Sequence, residues 1–239
     1  MSQVSHPEQL SGSRKEEMKK VVAIFAAIVL TATLAPVLSA AEKPVSVPGC
    51  KPTTAKGHTP AKVKQPLTPA KKFAKNLTLT TNCGPIVISL NKKAPQTITN
   101  ISALANAGYY NKSLCHRLTT EGIFVLQCGD PTASGGGSPT GWTGYADENL
   151  PGEGAKNYPA GTVAMANSGP GTNGSQFFLV YADTQLGPNY TIWGRITKGL
   201  DLVKKIGEVG AYKVQGDQAY YVGDGYPIQM VEIIRASAR

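Results

Sequence analysis

Histidine is scarce in this chain: 239 residues contain three, and two of these, His6 and His58, lie in N-terminal stretches whose composition argues against a packed core. Only His116 remains in the part that can fold, so a two-histidine metal site is excluded there. Cysteine is sparse as well. Cys50, Cys83, Cys115 and Cys128 form no C-x-x-C pair and no zinc-type spacing with histidine, so neither a metal nor another cofactor is expected. No G-x-S-x-G elbow is present, which leaves His116 without the nucleophile that a Ser-His-Asp mechanism needs. The run Gly169-Pro-Gly-Thr-Asn-Gly174 does match G-x-G-x-x-G, but the strand-like Ser-Gln-Phe-Phe-Leu-Val-Tyr follows it where a dinucleotide site requires a helix N-terminus. Gly135-Gly-Gly-Ser138 lacks the lysine of a phosphate-binding loop.

Acidic residues are almost missing from one region. Residues 42–76 hold eight lysines and a single acid, whereas residues 77–239 hold twelve basic and eleven acidic side chains. Most of the +9 net charge therefore sits outside the folding part, which argues against a basic nucleic-acid-binding face. The same stretch carries Pro44, Pro48, Pro52, Pro60, Pro66 and Pro69 and few large apolar residues, so 42–76 reads as a disordered Lys/Pro-rich tether.

Residues 1–41 read as an export signal. An unbroken apolar run at 21–30 follows Lys19 and Lys20, Pro36 breaks the segment, and Ser39-Ala40-Ala41 supplies the small residues of a cleavage site before Glu42. Met18 begins a more typical leader and is a second candidate start. The alternative is an uncleaved anchor, since 21–41 is just long enough to span a bilayer. Both versions place the rest of the chain outside the cytoplasm, secreted or anchored on the outer face of the cytoplasmic membrane, with membrane contact only through this segment. Cys50 stands too far beyond the apolar run for a lipid-attachment signal.

What is present from residue 77 onward is a succession of short β-type runs, at 77–81, 86–90, 115–118, 123–128, 162–166, 176–181, 191–196 and 228–235. Pro95 suits the first turn of a helix whose stripe is Ile98, Ile101, Leu104 and Ala105 and which stops at Gly108; a second helix is expected at 200–206. Eight strands, two helices and Gly-rich turns predict a mainly β domain over 77–239: a closed eight-stranded antiparallel barrel capped by two α-helices. Along 123–128, Phe124 and Leu126 share one side of a strand while Val125 and Gln127 share the other.

Three segments carry a resemblance: Cys115-His-Arg-Leu-Thr-Thr-Glu-Gly-Ile-Phe-Val-Leu-Gln-Cys-Gly-Asp130, Asp147-Glu-Asn149, and Met165-Ala-Asn-Ser-Gly-Pro-Gly-Thr-Asn-Gly-Ser-Gln-Phe-Phe178. They closely resemble the signature segments of cyclophilin-type peptidyl-prolyl cis-trans isomerases, in order, over roughly residues 77–236. The spacing between Arg117 and Phe124 is two residues longer than in common eukaryotic members and resembles a bacterial, Gram-positive branch. The resemblance implies that Arg117 assists rotation, with Phe124 and Gln127 beside it at the catalytic centre. It implies a proline pocket of Phe124, Met165, Phe178 and Leu186, and contacts from Gln127, Ala166, Asn167 and Gln176 to the flanking peptide. It also places Tyr190 where many members carry His, and Gln185 where cyclosporin-sensitive members carry Trp, so weak cyclosporin binding is expected. Cys115 and Cys128 lie on neighbouring strands and form either a disulfide or a pair of buried thiols. The expected partners are proline-containing polypeptides and the expected state is a monomer, acting in the folding of exported or envelope proteins. The alternative is a non-catalytic proline-binding or chaperone-like module using the same groove.

Overall fold

The computed structural model describes residues 45–239; the leader, Met18 and the cleavage site lie outside the described residues. No helix among the described residues is long and apolar enough to cross a membrane.

The chain enters the domain through β1 (Asn76–Thr81) and β2 (Gly84–Leu90), an antiparallel hairpin that turns at Asn82-Cys83. Alternation buries Leu77, Leu79, Ile86 and Ile88 on one face. Helix α1 (Pro95–Asn106) starts on its proline and has no side-chain cap of its own. The Glu148 carboxylate serves instead, accepting from the Gln96 and Thr97 amides at 3.0 and 2.8 Å. Then follow β3 (Ser113–Leu114), β4 (Arg117–Thr119), β5 (Val125–Cys128), β6 (Thr162–Met165), β7 (Phe177–Val180), β8 (Ile192–Lys198) and α2 (Leu200–Val209). The chain ends with β9 (Ala211–Gln215), β10 (Gln218–Val222), β11 (Asp224–Pro227) and β12 (Glu232–Ala238).

The pairings are antiparallel and give the order β10-β9-β11-β4-β5-β7-β6-β8-β2-β1-β12-β3. Among the described residues this is a mainly β fold with two helices, as expected, but with twelve strands in place of eight. The expected run at 115–118 is interrupted at Cys115-His116, whose amides bond away to Val231 and Gln127, so β3 pairs with β12 while β4 pairs with β5 and β11. The expected last strand lies later, and β9, β10 and β11 were not anticipated. The signal for β9 and β10 was the β-forming Tyr212, Val214, Tyr220, Tyr221 and Val222 on either side of a Gly216-Asp217 turn. The strand order is linear, with β10 and β3 at its ends, and closure is not part of it.

Two apolar clusters lie on opposite faces of the central strands. The larger holds Leu126, Cys128, Val163, Met165, Phe177, Leu179 and Trp193 with the helices; the smaller holds Val125, Ala164, Phe178, Val180 and Tyr158. Residue parity along β5, β6 and β7 thus decides which side each residue serves.

The disordered tether expected at 42–76 is corrected from residue 45 onward. That stretch is an extended strap laid on the domain: Val47 is buried in the larger cluster, and Cys50, Val63, Phe73 and Ala74 pack against it. A Cys50–Cys83 disulfide staples it to the β1–β2 turn. Further along, Trp142 donates to the Val63 carbonyl at 2.6 Å, Gln96 to the Pro66 carbonyl at 2.8 Å, and the Ala70 amide to the Thr99 hydroxyl at 3.0 Å. The prolines hold the strap extended, and a few widely spaced apolar residues suffice to dock a chain already short of conformational freedom.

Candidate active site

The cleft is built on the face served by the smaller cluster. Val125 and Phe178 rise from β5 and β7, and Ile123, Leu186 and Tyr190 complete an apolar depression of about 170 Å³ that Arg117, Gln127, Ala166 and Asn167 border. The Phe178 ring meets Tyr190 edge-on with centroids 5.5 Å apart. Leu186 is held by Asn157, whose side chain donates to the Leu186 carbonyl at 2.6 Å and accepts from its amide at 3.1 Å. Asn167 donates to the Asn189 carbonyl at 2.8 Å, which anchors the loop carrying Tyr190.

A hydrogen-bonded row of polar side chains lies along the cleft. Arg117 Nη1 donates to Gln127 Oε1 at 3.1 Å, Gln127 Nε2 to Gln176 Oε1 at 2.9 Å, and Gln176 Nε2 to the Gly135 and Gly137 carbonyls, both at 2.9 Å. The glycine loop is in turn organised by Asp130, which is fully buried and accepts from the Thr132, Gly135 and Gly137 amides at 2.8, 2.8 and 3.0 Å. Burial alone would raise the Asp130 pKa, but these bonds and the Thr132 hydroxyl outweigh it and hold the carboxyl below its ordinary value. Gly137 must lack a side chain here, because a Cβ would fall 1.8 Å from Asp130 Oδ1. The pKa of His116, next to Arg117, is held below its ordinary value chiefly by burial and also by the Arg117 charge, against the opposing pull of Asp130.

At its other edge Arg117 forms a two-point pair with Asp224 of β11, Nε to Oδ1 and Nη2 to Oδ2, both at 2.8 Å. A second cavity of about 410 Å³ opens on this side, lined by Arg117, Asp224, Lys213 and Tyr226 among others.

Arg117, Gln127, Ala166, Asn167, Phe178, Leu186 and Tyr190 therefore border one depression, with Gln176 one bond away. Two assignments are corrected. Phe124 does not line the cleft; it faces the larger cluster and packs edge-on against Tyr181 at 5.9 Å, over α2. Met165 is fully buried in that same cluster, opposite Phe177. Both have the wrong parity: Gln127 and Phe178 point into the cleft, so Phe124 and Met165 point away from it. Gln185 is exposed, next in the chain to Leu186 of the cleft lining. Val125 and Asn157 were missed, although the alternation that pairs Val125 with Gln127 was legible. Asp224 carried no sequence signal. Cys115 and Cys128, which the sequence leaves open as disulfide or thiols, are disulfide-bonded, two residues before Arg117 and next to Gln127 in the chain.

Residues 76–237 match the family model described as cyclophilin type peptidyl-prolyl cis-trans isomerase/CLD. The chain is 44% identical over 158 residues to a probable peptidyl-prolyl cis-trans isomerase B of Mycobacterium leprae, covering 62% of this chain and 52% of that protein. It is 44% identical over 137 residues to the human peptidyl-prolyl cis-trans isomerase-like 1, covering 56% of this chain and 80% of that one. It spans about half the length of the mycobacterial relatives it matches. Its fold is similar to the crystal structure of a Cryptosporidium parvum cyclophilin type isomerase, with a TM-score of 0.56 at 24% identity over 70% of this chain and 98% of that one. With the family model matching more than half of its length and the cleft built from the family's signature segments, the chain belongs to the cyclophilin type peptidyl-prolyl cis-trans isomerase family.

Proposed function

We propose that the domain accelerates cis-trans rotation about X-Pro peptide bonds. One observation carries this reading: a guanidinium, Arg117, fixed at the rim of an apolar depression floored by Phe178. Amide resonance opposes rotation by roughly 18–20 kcal/mol, and no bond has to break for rotation to occur. The proline ring sits among Val125, Phe178, Leu186 and Tyr190, out of water. As the prolyl nitrogen pyramidalises its lone pair localises, and a permanently charged donor at that point stabilises the twisted state more than either planar one. Gln127 acts on Arg117, since its carbonyl accepts from the guanidinium while its amide is held by Gln176. Gln176 and Asn167 border the path of the flanking peptide.

The test is a proline-isomerisation assay on the full chain. Arg117→Ala should lower kcat/KM by roughly a hundredfold or more with melting little changed. Unchanged turnover would remove Arg117 from the reaction, and peptide binding without turnover in the unmodified protein would make it a holding module.

The substrates in this reading are exported or envelope proteins, met outside the cytoplasm by a bacterial exported enzyme. Its support is that all four cysteines are paired, as Cys50–Cys83 and Cys115–Cys128, which suits an oxidising compartment. A closed barrel belongs to the same reading, supported by β3 and β4 lying two residues apart on the chain while pairing with strands far apart in the order. Weak cyclosporin binding belongs here too. Gln185 is exposed and offers no indole, and loss of a central Trp anchor commonly costs about 2 kcal/mol or more, over tenfold in affinity. Titration calorimetry should find Gln185→Trp binding cyclosporin more tightly than the unmodified chain; equal affinities would displace Gln185 from this role.

A further inference from the structure

Arg117 has five N–H donors, and three are committed: two to Asp224 and one to Gln127. The remaining two are those that a substrate can use. Which way they face is set by the partners of the other three, because the guanidinium is planar and rigid.

Gln127 sits on β5, to one side of β4, and Asp224 on β11, to the other. Their backbones are locked to Arg117 by the ladders Arg117↔Gln127 and Asp224↔Thr119. Asp224 is thus the diagonal neighbour of Arg117 on the sheet surface, within reach of a long side chain. Its strand is wedged between two others, since Gly225 pairs with Leu118 of β4 while Tyr226 pairs with Tyr212 of β9. A Cβ on Gly225 would fall 2.3 Å from the Tyr212 carbonyl, so the glycine is what lets β11 fit there and present Asp224.

The pair itself does little for the fold. The Arg117 and Asp224 side chains are 40% and 51% exposed, and ion pairs so open to water contribute little to stability. A two-point carboxylate–guanidinium pair nonetheless fixes geometry, and a peptide seated in the cleft would exclude water from it and strengthen it.

We propose that Asp224 is a positioning residue for Arg117: its carboxylate holds the guanidinium so that the two free N–H groups face the prolyl nitrogen in the apolar cleft. The inference rests on Arg117 serving the rotation step. Asp224 touches no substrate; it acts on kcat through the arginine and leaves the proline pocket, and hence KM, nearly alone.

The experiment compares the full chain with Asp224→Ala, Asp224→Glu, Arg117→Ala and the double variant in the proline-isomerisation assay, with thermal melts of each. Asp224→Ala should lose roughly five- to tenfold in kcat with KM nearly unchanged and its melting temperature within about 2 °C of the parent. Asp224→Glu should recover much of the loss. In the Arg117→Ala background, removing Asp224 should cost nothing further, since the carboxylate would then have nothing to position. Wild-type or higher turnover in Asp224→Ala, alongside a crippled Arg117→Ala, overturns the inference and leaves the proposed reaction standing. Full turnover in Arg117→Ala overturns both. If Asp224→Ala fails to fold, Asp224→Asn, which keeps the shape and one acceptor oxygen, decides by the same kcat and KM criteria.

Discussion

At the scale of single residues, parity along three short strands separates the chemistry from the core. Phe124 is the sharpest case. Its ring lies on the side of β5 away from Arg117, packed against Tyr181, so Phe124→Ala should cost stability, roughly 2–3 kcal/mol for a half-buried ring, with kcat/KM nearly retained in the folded protein. Urea denaturation and the isomerisation assay on the same sample check both halves; a large loss of turnover at full folding would return Phe124 to the cleft. The alternation that places Val125 with Gln127 was visible in the sequence, and so were Asn167, Gln176 and Phe178 in their glycine-flanked segment. Met165 and Phe124 were assigned to the pocket by the resemblance, and the period of two overrode it. Asp224 could not be read from the sequence, because it meets Arg117 across 107 positions and only the pairing of β11 with β4 brings them together.

At the scale of elements, β1, β2, α1 and the central strands were legible because each is a short apolar run bounded by turn residues. The strap and the β9–β11 unit were not. Composition alone made 45–75 look disordered, and what composition omits is placement: Asn82 at the β1–β2 turn donates to the Lys51 and Met230 carbonyls at 2.7 and 3.1 Å and accepts from the Glu232 amide at 2.8 Å, tying the strap, the turn and β12 into one knot. The Cys50–Cys83 bond closes that knot across 33 positions. Replacing both cysteines by serine should lower unfolding free energy by about 2–4 kcal/mol, towards the lower end because the strap keeps its other contacts. Turnover should not change, as no strap residue lines the cleft. Guanidinium titration of the double variant is the measurement; an unshifted midpoint would mean that the strap adds nothing to the fold.

For the molecule as a whole, the perturbed carboxylates and histidine give acid sensitivity of one sign. Asp130, Asp183 and Asp224 are held below their ordinary value of 3.8 by hydrogen bonds, so the stability they confer is present above that value and lost as pH falls through their lower folded values. His116 is held below 6.5, mainly by burial, so the unfolded chain takes up its proton first and stability begins to fall as pH drops under about 6.5. Melting temperature should therefore be level around neutrality, decline gently below 6.5 and fall steeply below 4. His116→Gln should flatten the gentle limb and Asp130→Asn should lower and flatten the steep one; melts that improve on acidification would contradict this. One feature of the sheet also bears on how the protein comes into being. β1 has β12 as its second neighbour, and the Thr81↔Ile233 register joins the opening of the domain to its last strand. A chain emerging amino end first, from a ribosome or through a membrane, offers β1 only β2 to pair with until nearly its whole length has appeared. During that interval the outer edge of β1 is a bare row of backbone donors and acceptors, so the sheet of this domain can be completed only late, and that edge stays open to wrong pairings until β12 arrives.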